Sequence, residues 1–206
     1  MRGDVVDKFM VTHSLLSAWS HALKDNPHAK KDVAPMIGFM KTLRREPSVA
    51  TEAMQSGIKF EMLVTDIMCG NGDKKNKWYE AARDVARIIE GGQLQVVAKK
   101  EAMIDDVPVL LYGRIDALKA GVIYDIKYTE KYESGKYLHS TQHPMYFELI
   151  PEALEFTYLV SDGSNVFPET YRRDETMGIH GTIEVFFAWL EIQELSGVYR
   201  QYWKAL

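Results

Sequence analysis

With 206 residues, the chain is long enough for one sizeable domain and short for two independent cores. Hydrophobic residues make up 46% and charged residues 26%, and the net charge of −4 excludes a polyanion binder by overall composition, so any nucleic-acid surface has to be a local basic patch. A single cysteine, Cys69, excludes an internal disulfide, a four-cysteine zinc site and a four-cysteine iron–sulfur cluster. No apolar secretory segment follows the charged start and no apolar run approaches the roughly 20 residues that cross a bilayer, so the expected compartment is the cytoplasm, away from membrane.

The first fifty residues read as helical, with breaks near Pro27, Pro35 and Pro47. Leu15, Leu16, Trp19 and Leu23 recur at helical spacing, and Ile37, Met40 and Leu43 do so in a second segment. A third helix is predicted from Thr51 to Met68, capped by Ser48 or Thr51, with Cys69 near its end. The polar stretch 70–77 is an exposed loop, and a helix from Trp78 to Glu90 ends at Gly91-Gly92. The period then changes. Leu94 to Lys100, Val107 to Leu118 and Val122 to Thr129 are rich in β-branched and aromatic residues, and turns at Asp105-Asp106 and Lys119-Ala120-Gly121 make them an antiparallel meander. A helix from Gly135 to Glu148, two strands (Glu155 to Val160 and Asn165 to Arg172) and two closing helices (Gly178 to Leu195 and Val198 to Ala205) complete the chain. The expected fold is α/β (α+β), one domain with a sheet covered by helices on both faces: a helical extension over 1–50, a core over 51–172 and C-terminal helices over 173–206.

The chemistry concentrates between Gly113 and Lys127. Alternate side chains of a strand share a face, so Asp125 and Lys127 point the same way, roughly 7 Å apart along the strand. Folding the hairpin about Lys119 to Gly121 brings Asp116 opposite or diagonal to Asp125, roughly 5–8 Å away. Two carboxylates at that separation can share one metal ion, with the Ile126 carbonyl as a further hard ligand; an oxygen-only set suits Mg²⁺ or Mn²⁺, as one or two ions, and is poor for zinc. A reaction that places charge on an already anionic phosphate needs such compensation, and Lys127 beside the metal can orient or deprotonate water or stabilise the developing charge. An Asp-x-Lys triplet taken alone is more often a solvated strand face.

Gly113-Arg-Ile-Asp116 and Asp125-Ile-Lys127 resemble the second and third elements of the PD-(D/E)xK nuclease superfamily. Upstream, Gly57-Ile-Lys-Phe-Glu61 is similar to the helical segment from which RecB-like enzymes bring a glutamate to the metal; downstream, Gln142-His-Pro-Met-Tyr146 matches the Q-x-x-x-Y element of the RecB-like and lambda-exonuclease-like branch. Each is weak alone. Together they fall in order over residues 57–146. The resemblance implies a restriction-endonuclease-like core, with Glu61, Asp116 and Asp125 holding metal, Lys127 catalytic, and Gln142 and Tyr146 facing DNA from one helical turn. The chain departs from the family in lacking a histidine upstream of Glu61 in that helix, the cluster cysteines and any helicase motif.

The implied activity is a metal-dependent DNA exonuclease processing ends in recombination or repair, as in phage relatives, with an endonuclease as the nearest alternative. The resemblance also implies a possible single-strand annealing partner and a possible homo-oligomer. A non-catalytic nucleic-acid-binding protein on a decayed nuclease fold is the reading from another class. His139 and His143 flank the Gln142 helix as phosphate contacts or surface residues, with a metal-ligand role as the lesser alternative, and Arg114 faces away from the site. Lys99, Lys100, Lys131, Lys136, Arg44 and Arg45 are candidate phosphate contacts, although isolated charges are more often only solvated.

Overall fold

The computed structural model describes residues 7–24 and 33–205. Its strands are β1 (Phe9–Thr12), β2 (Gln93–Ile104), β3 (Val107–Lys119), β4 (Val122–Tyr128), β5 (Glu155–Ser161) and β6 (Val166–Arg172). Its helices are α1 (His13–Leu23), α2 (Ala34–Leu43), α3 (Glu52–Met68), α4 (Tyr79–Ile89), α5 (Gln142–Leu149), α6 (His180–Ile192) and α7 (Ser196–Tyr202). The six strands form one mixed sheet.

The meander forms because each of its turns holds two consecutive residues with positive φ, Asp105 and Asp106 in one, Ala120 and Gly121 in the other. That backbone twist matches paired antiparallel strands. β2 runs against the full length of β3, from Gln93↔Leu118 to Ile104↔Val107. The other flank of β3 is divided. β1 lies parallel to it at residues 109–112, and β4 lies antiparallel to it at 117–119. Between those two partners the sheet forks at residues 113–116, so the fork opens beside Asp116. β4 continues in parallel along β5, and β6 closes the far edge antiparallel to β5.

Each face of the sheet carries its own apolar cluster. On one, α3 and α4 cover Ala117 and Leu159. α4 buries Ala81, Ala82, Val85, Ala86 and Ile89 at helical spacing, while Glu80, Arg83, Asp84 and Arg87 pair with one another on the outside. On the opposite face α1, α2, α5, α6 and α7 pack over Leu111, Ile115, Phe156 and Tyr158. The expected sandwich, helices on both faces of a mixed sheet, is the observed architecture.

Several expectations are corrected. Phe9–Thr12 is a strand inside the stretch read as helical; four residues are too few for a periodicity to show, and the segment is held by β3 and by a Met10 N–H bond to the Trp203 carbonyl at 2.7 Å. Pro35 sits in the first turn of α2, where its missing N–H costs nothing, and so begins a helix instead of breaking one. The break near Pro27 lies outside the described residues. The helix expected from Gly135 starts at Gln142: Gly135 has a φ of 78°, and turns occupy the residues between. β2 is longer than read, and the final two helices are shorter. Thr51, not Ser48, caps α3, accepting from the Met54 N–H at 3.2 Å, and Cys69 is exposed at that helix's end. Among the described residues no helix is long and apolar enough to cross a membrane.

Candidate active site

The β3–β4 register places Ala117 against Tyr124, so Asp116 and Asp125 face each other one step further on, at the mouth of the fork. Asp116 Oδ2 accepts the Ile126 N–H at 2.8 Å, standing in for a missing ladder partner. Asp125 is buried, and Lys127, two residues on along the same face, brings Nζ to 2.7 Å from its Oδ2. The Lys127 ammonium is thus the partner of this buried carboxylate oxygen. Oδ1 of Asp125 accepts a hydrogen bond from Gln142 Nε2.

Charge and burial set the protonation here. Burial raises the Asp116 carboxyl, the negative charges of Asp125 and Glu61 raise it further, and the Ile126 N–H and Lys127 only partly oppose them. Desolvation alone would lower the Lys127 ammonium; the charge and hydrogen bond of Asp125, with Asp116 behind, outweigh it and hold the group above its ordinary value. Carboxylates crowded this way repel one another until a cation joins them.

Tyr146, one turn after Gln142, donates from its hydroxyl to the Arg114 carbonyl at 2.8 Å, and burial raises that phenol. Arg114 itself points to solvent. The helix approaches the sheet this closely because residue 113 is glycine: a Cβ there would sit 2.6 Å from Tyr146 Cε1 and 2.7 Å from Leu149 Cδ1. Gln142 and Tyr146 thus grip the two catalytic-candidate strands from above, one through Asp125 and the other through the β3 backbone.

Glu61 lies on the opposite, α3 side. Its Oε1 accepts Gln95 Nε2 at 3.0 Å, and its charge acts on Asp116. Among the described residues no three His, Cys, Asp or Glu side chains stand as a ready-made metal cluster. The donor types nevertheless suit an oxygen-seeking divalent ion: the carboxylates of Asp116 and Asp125 at the fork, with Glu61 acting on Asp116 electrostatically from α3. Ile126 stands between Asp125 and Lys127 on β4, its carbonyl a candidate fourth ligand.

His13 was missed by sequence reasoning. It opens α1, packs edge-on against the Tyr146 ring at 5.7 Å between centroids, and feels the charges of both Lys127 and Asp125. Burial first and Lys127 second lower its imidazole to about 4, so it is neutral at pH 7. No motif announces it, because β1 must pair with β3 before His13 can arrive at the site. With Lys127 and Gln142 it lines a cavity of about 380 Å³ that also receives Lys24, Lys136 and His139. Of the other basic candidates, Lys100 is paired to Glu148, Lys99 lies by Tyr112, Arg44 is near Glu46, and Arg45 covers the Trp203 ring; none of them lines this cavity. Lys131 is exposed and does not line it either.

His143 is corrected from a surface or phosphate-binding role to a core one. It is buried, 3.2 Å from the Tyr158 hydroxyl and stacked on Tyr171. Burial lowers its imidazole to about 4, partly opposed by Glu169. The unfolded chain therefore takes up this proton first as pH falls, so the stability it contributes is present above its ordinary value and is lost between about 6.5 and 4. His143→Gln is expected to reduce the stability difference between pH 7 and pH 5 by up to about 2 kcal/mol, read from denaturant unfolding at both pH values. An unchanged difference would contradict the assignment; His13, lowered in the same direction, supplies the residual slope.

No family model matches the chain, and no curated protein matches it. The solved structure of SSO0001 is similar to it, with a TM-score of 0.52 and 12% sequence identity, over 93% of this chain and 80% of that one. At that identity the likeness shows a shared fold alone.

Proposed function

We propose that this chain is a divalent-metal-dependent DNA nuclease of the PD-(D/E)xK type, on a restriction-endonuclease-like core, acting at DNA ends. The observation that carries the reading is the convergence at the strand fork of Asp116, Asp125 and Lys127, with Gln142 bonded to Asp125. Segments far apart in the chain meet there. Asp116, Asp125 and Glu61, with the Ile126 carbonyl, would hold Mg²⁺ or Mn²⁺. When bound, such an ion supplies positive charge against the phosphoryl oxygens. Lys127 orients the attacking water and offsets charge on the scissile phosphate. Gln142 fixes the Asp125 carboxylate, Tyr146 fixes the backbone beside Asp116, and Lys24 and Lys136 take neighbouring phosphates from the adjoining cavity. The preference for ends comes from the resemblance to RecB-like and lambda-exonuclease-like enzymes.

One observation favours the non-catalytic reading: Lys127 is already ion-paired with Asp125, and Glu61 accepts a hydrogen bond from Gln95. Incubation with linear and circular duplex DNA, in Mg²⁺, Mn²⁺ or EDTA, separates the two. Metal-dependent loss of linear DNA alone is expected. Cutting of circles would make the protein an endonuclease, and binding of a fluorescent duplex without hydrolysis in either metal would leave only the non-catalytic reading.

A further inference from the structure

A second cavity, about 710 Å³, lies on the other side of the short segment leading into α5, and shares His139, Ser140 and Thr141 with the basic cavity beside Lys127. Its character is different. Leu138, Met177 and Val185 contribute apolar surface beside the Tyr171 ring and Ile179, with Glu175 also in the wall. Leu138 is 57% exposed, Met177 88% and Val185 60%. Single exposed apolar residues are ordinary; here three of them line one concave surface.

We propose that this apolar cleft receives an unpaired base of the strand whose phosphates lie in the basic cavity. The inference rests on the nuclease reading and adds to it a substrate class: single-stranded DNA, or an end frayed into single strands. The reason is complementarity along one ligand. A nucleotide is anionic at its phosphate and apolar over the face of its base, and the two cavities present cationic and apolar walls in that same succession across three shared residues. In a duplex the base faces are hidden by stacking, so only an unpaired base can use the cleft. A peptide or a second copy of the chain would account for the apolar wall but not for its continuity with the lysine-lined cavity.

The test compares a fluorescein-labelled oligothymidine with an oligonucleotide of equal length carrying abasic sites, by anisotropy in EDTA, so that binding is read without catalysis. Wild type is expected to bind the oligothymidine about tenfold more tightly, the effect of one stacked base. Val185→Glu and Met177→Glu, both on exposed positions that leave the core intact, are expected to remove that preference. The abasic strand measures whatever the added charge does to phosphate binding. Equal binding of both strands to wild type, or a preference that survives both variants, overturns the cleft. So does a change of oligomeric state in the variants with the base preference intact, which would make the groove an interface between copies. If wild type binds neither strand and cleaves no DNA, the nuclease reading itself fails; if it cleaves DNA yet ignores the bases, only the cleft does.

Discussion

Lys127→Ala is expected to lower metal-dependent DNA hydrolysis by about 10²–10³-fold, the usual consequence of removing one preorganised charge from a developing oxyanion. A simple loss of folding would also abolish activity, so a second measurement is needed. The Lys127 ammonium lies 2.7 Å from Asp125 Oδ2, an oxygen of the carboxylate proposed to hold the metal, and would compete with the ion for it. Its removal should therefore strengthen Mn²⁺ binding several-fold while hydrolysis falls, because like charges a few ångströms apart repel by about 1 kcal/mol even in water. Titration of Mn²⁺ against thermal unfolding reads the binding half, since a ligand of the folded state raises the midpoint. Tighter metal binding with lost hydrolysis supports the assigned role. Weaker metal binding would mean that Lys127 shapes the site instead of acting in it.

Gly113→Val should lower the unfolding free energy by about 3 kcal/mol, the upper end of the range for overpacking a filled core. For a chain of this size that corresponds to a midpoint roughly 6–12 °C lower. The clash is with two buried side chains on a helix already pressed on the sheet, Tyr146 and Leu149. Relief requires α5 to move outward, and the same helix carries Gln142, so hydrolysis should fall with stability. Gly57 provides the contrast. Nothing lies within 4 Å of a Cβ built there, inside α3, so Gly57→Ala should raise stability by roughly 0.5–1 kcal/mol. Differential scanning calorimetry of the two variants distinguishes a close approach from a tolerated helix glycine.

Local chemistry alone determined much of this protein. The 107–119 and 122–128 strands, the turn between them and the α4 helix ending at Gly91-Gly92 were legible because each depends on residues within one or two turns of one another. For the same reason the facing of Asp116 and Asp125 and the shared side of Asp125 and Lys127 were legible: a two-residue hairpin fixes the register, and the period of a strand fixes the side. Tertiary structure decided what depends on distant segments. β1 is a strand only because β3 leaves half of one flank open to it, and that pairing carries His13 to the Tyr146 ring. His143, polar and next to a motif glutamine, is buried because Tyr158 and Tyr171 close around it. Lys24, Lys127 and Lys136 share one cavity through packing of α1 against the segment before α5, an arrangement with no trace in composition or spacing, since side chains that meet across a fold need carry no periodicity in the chain.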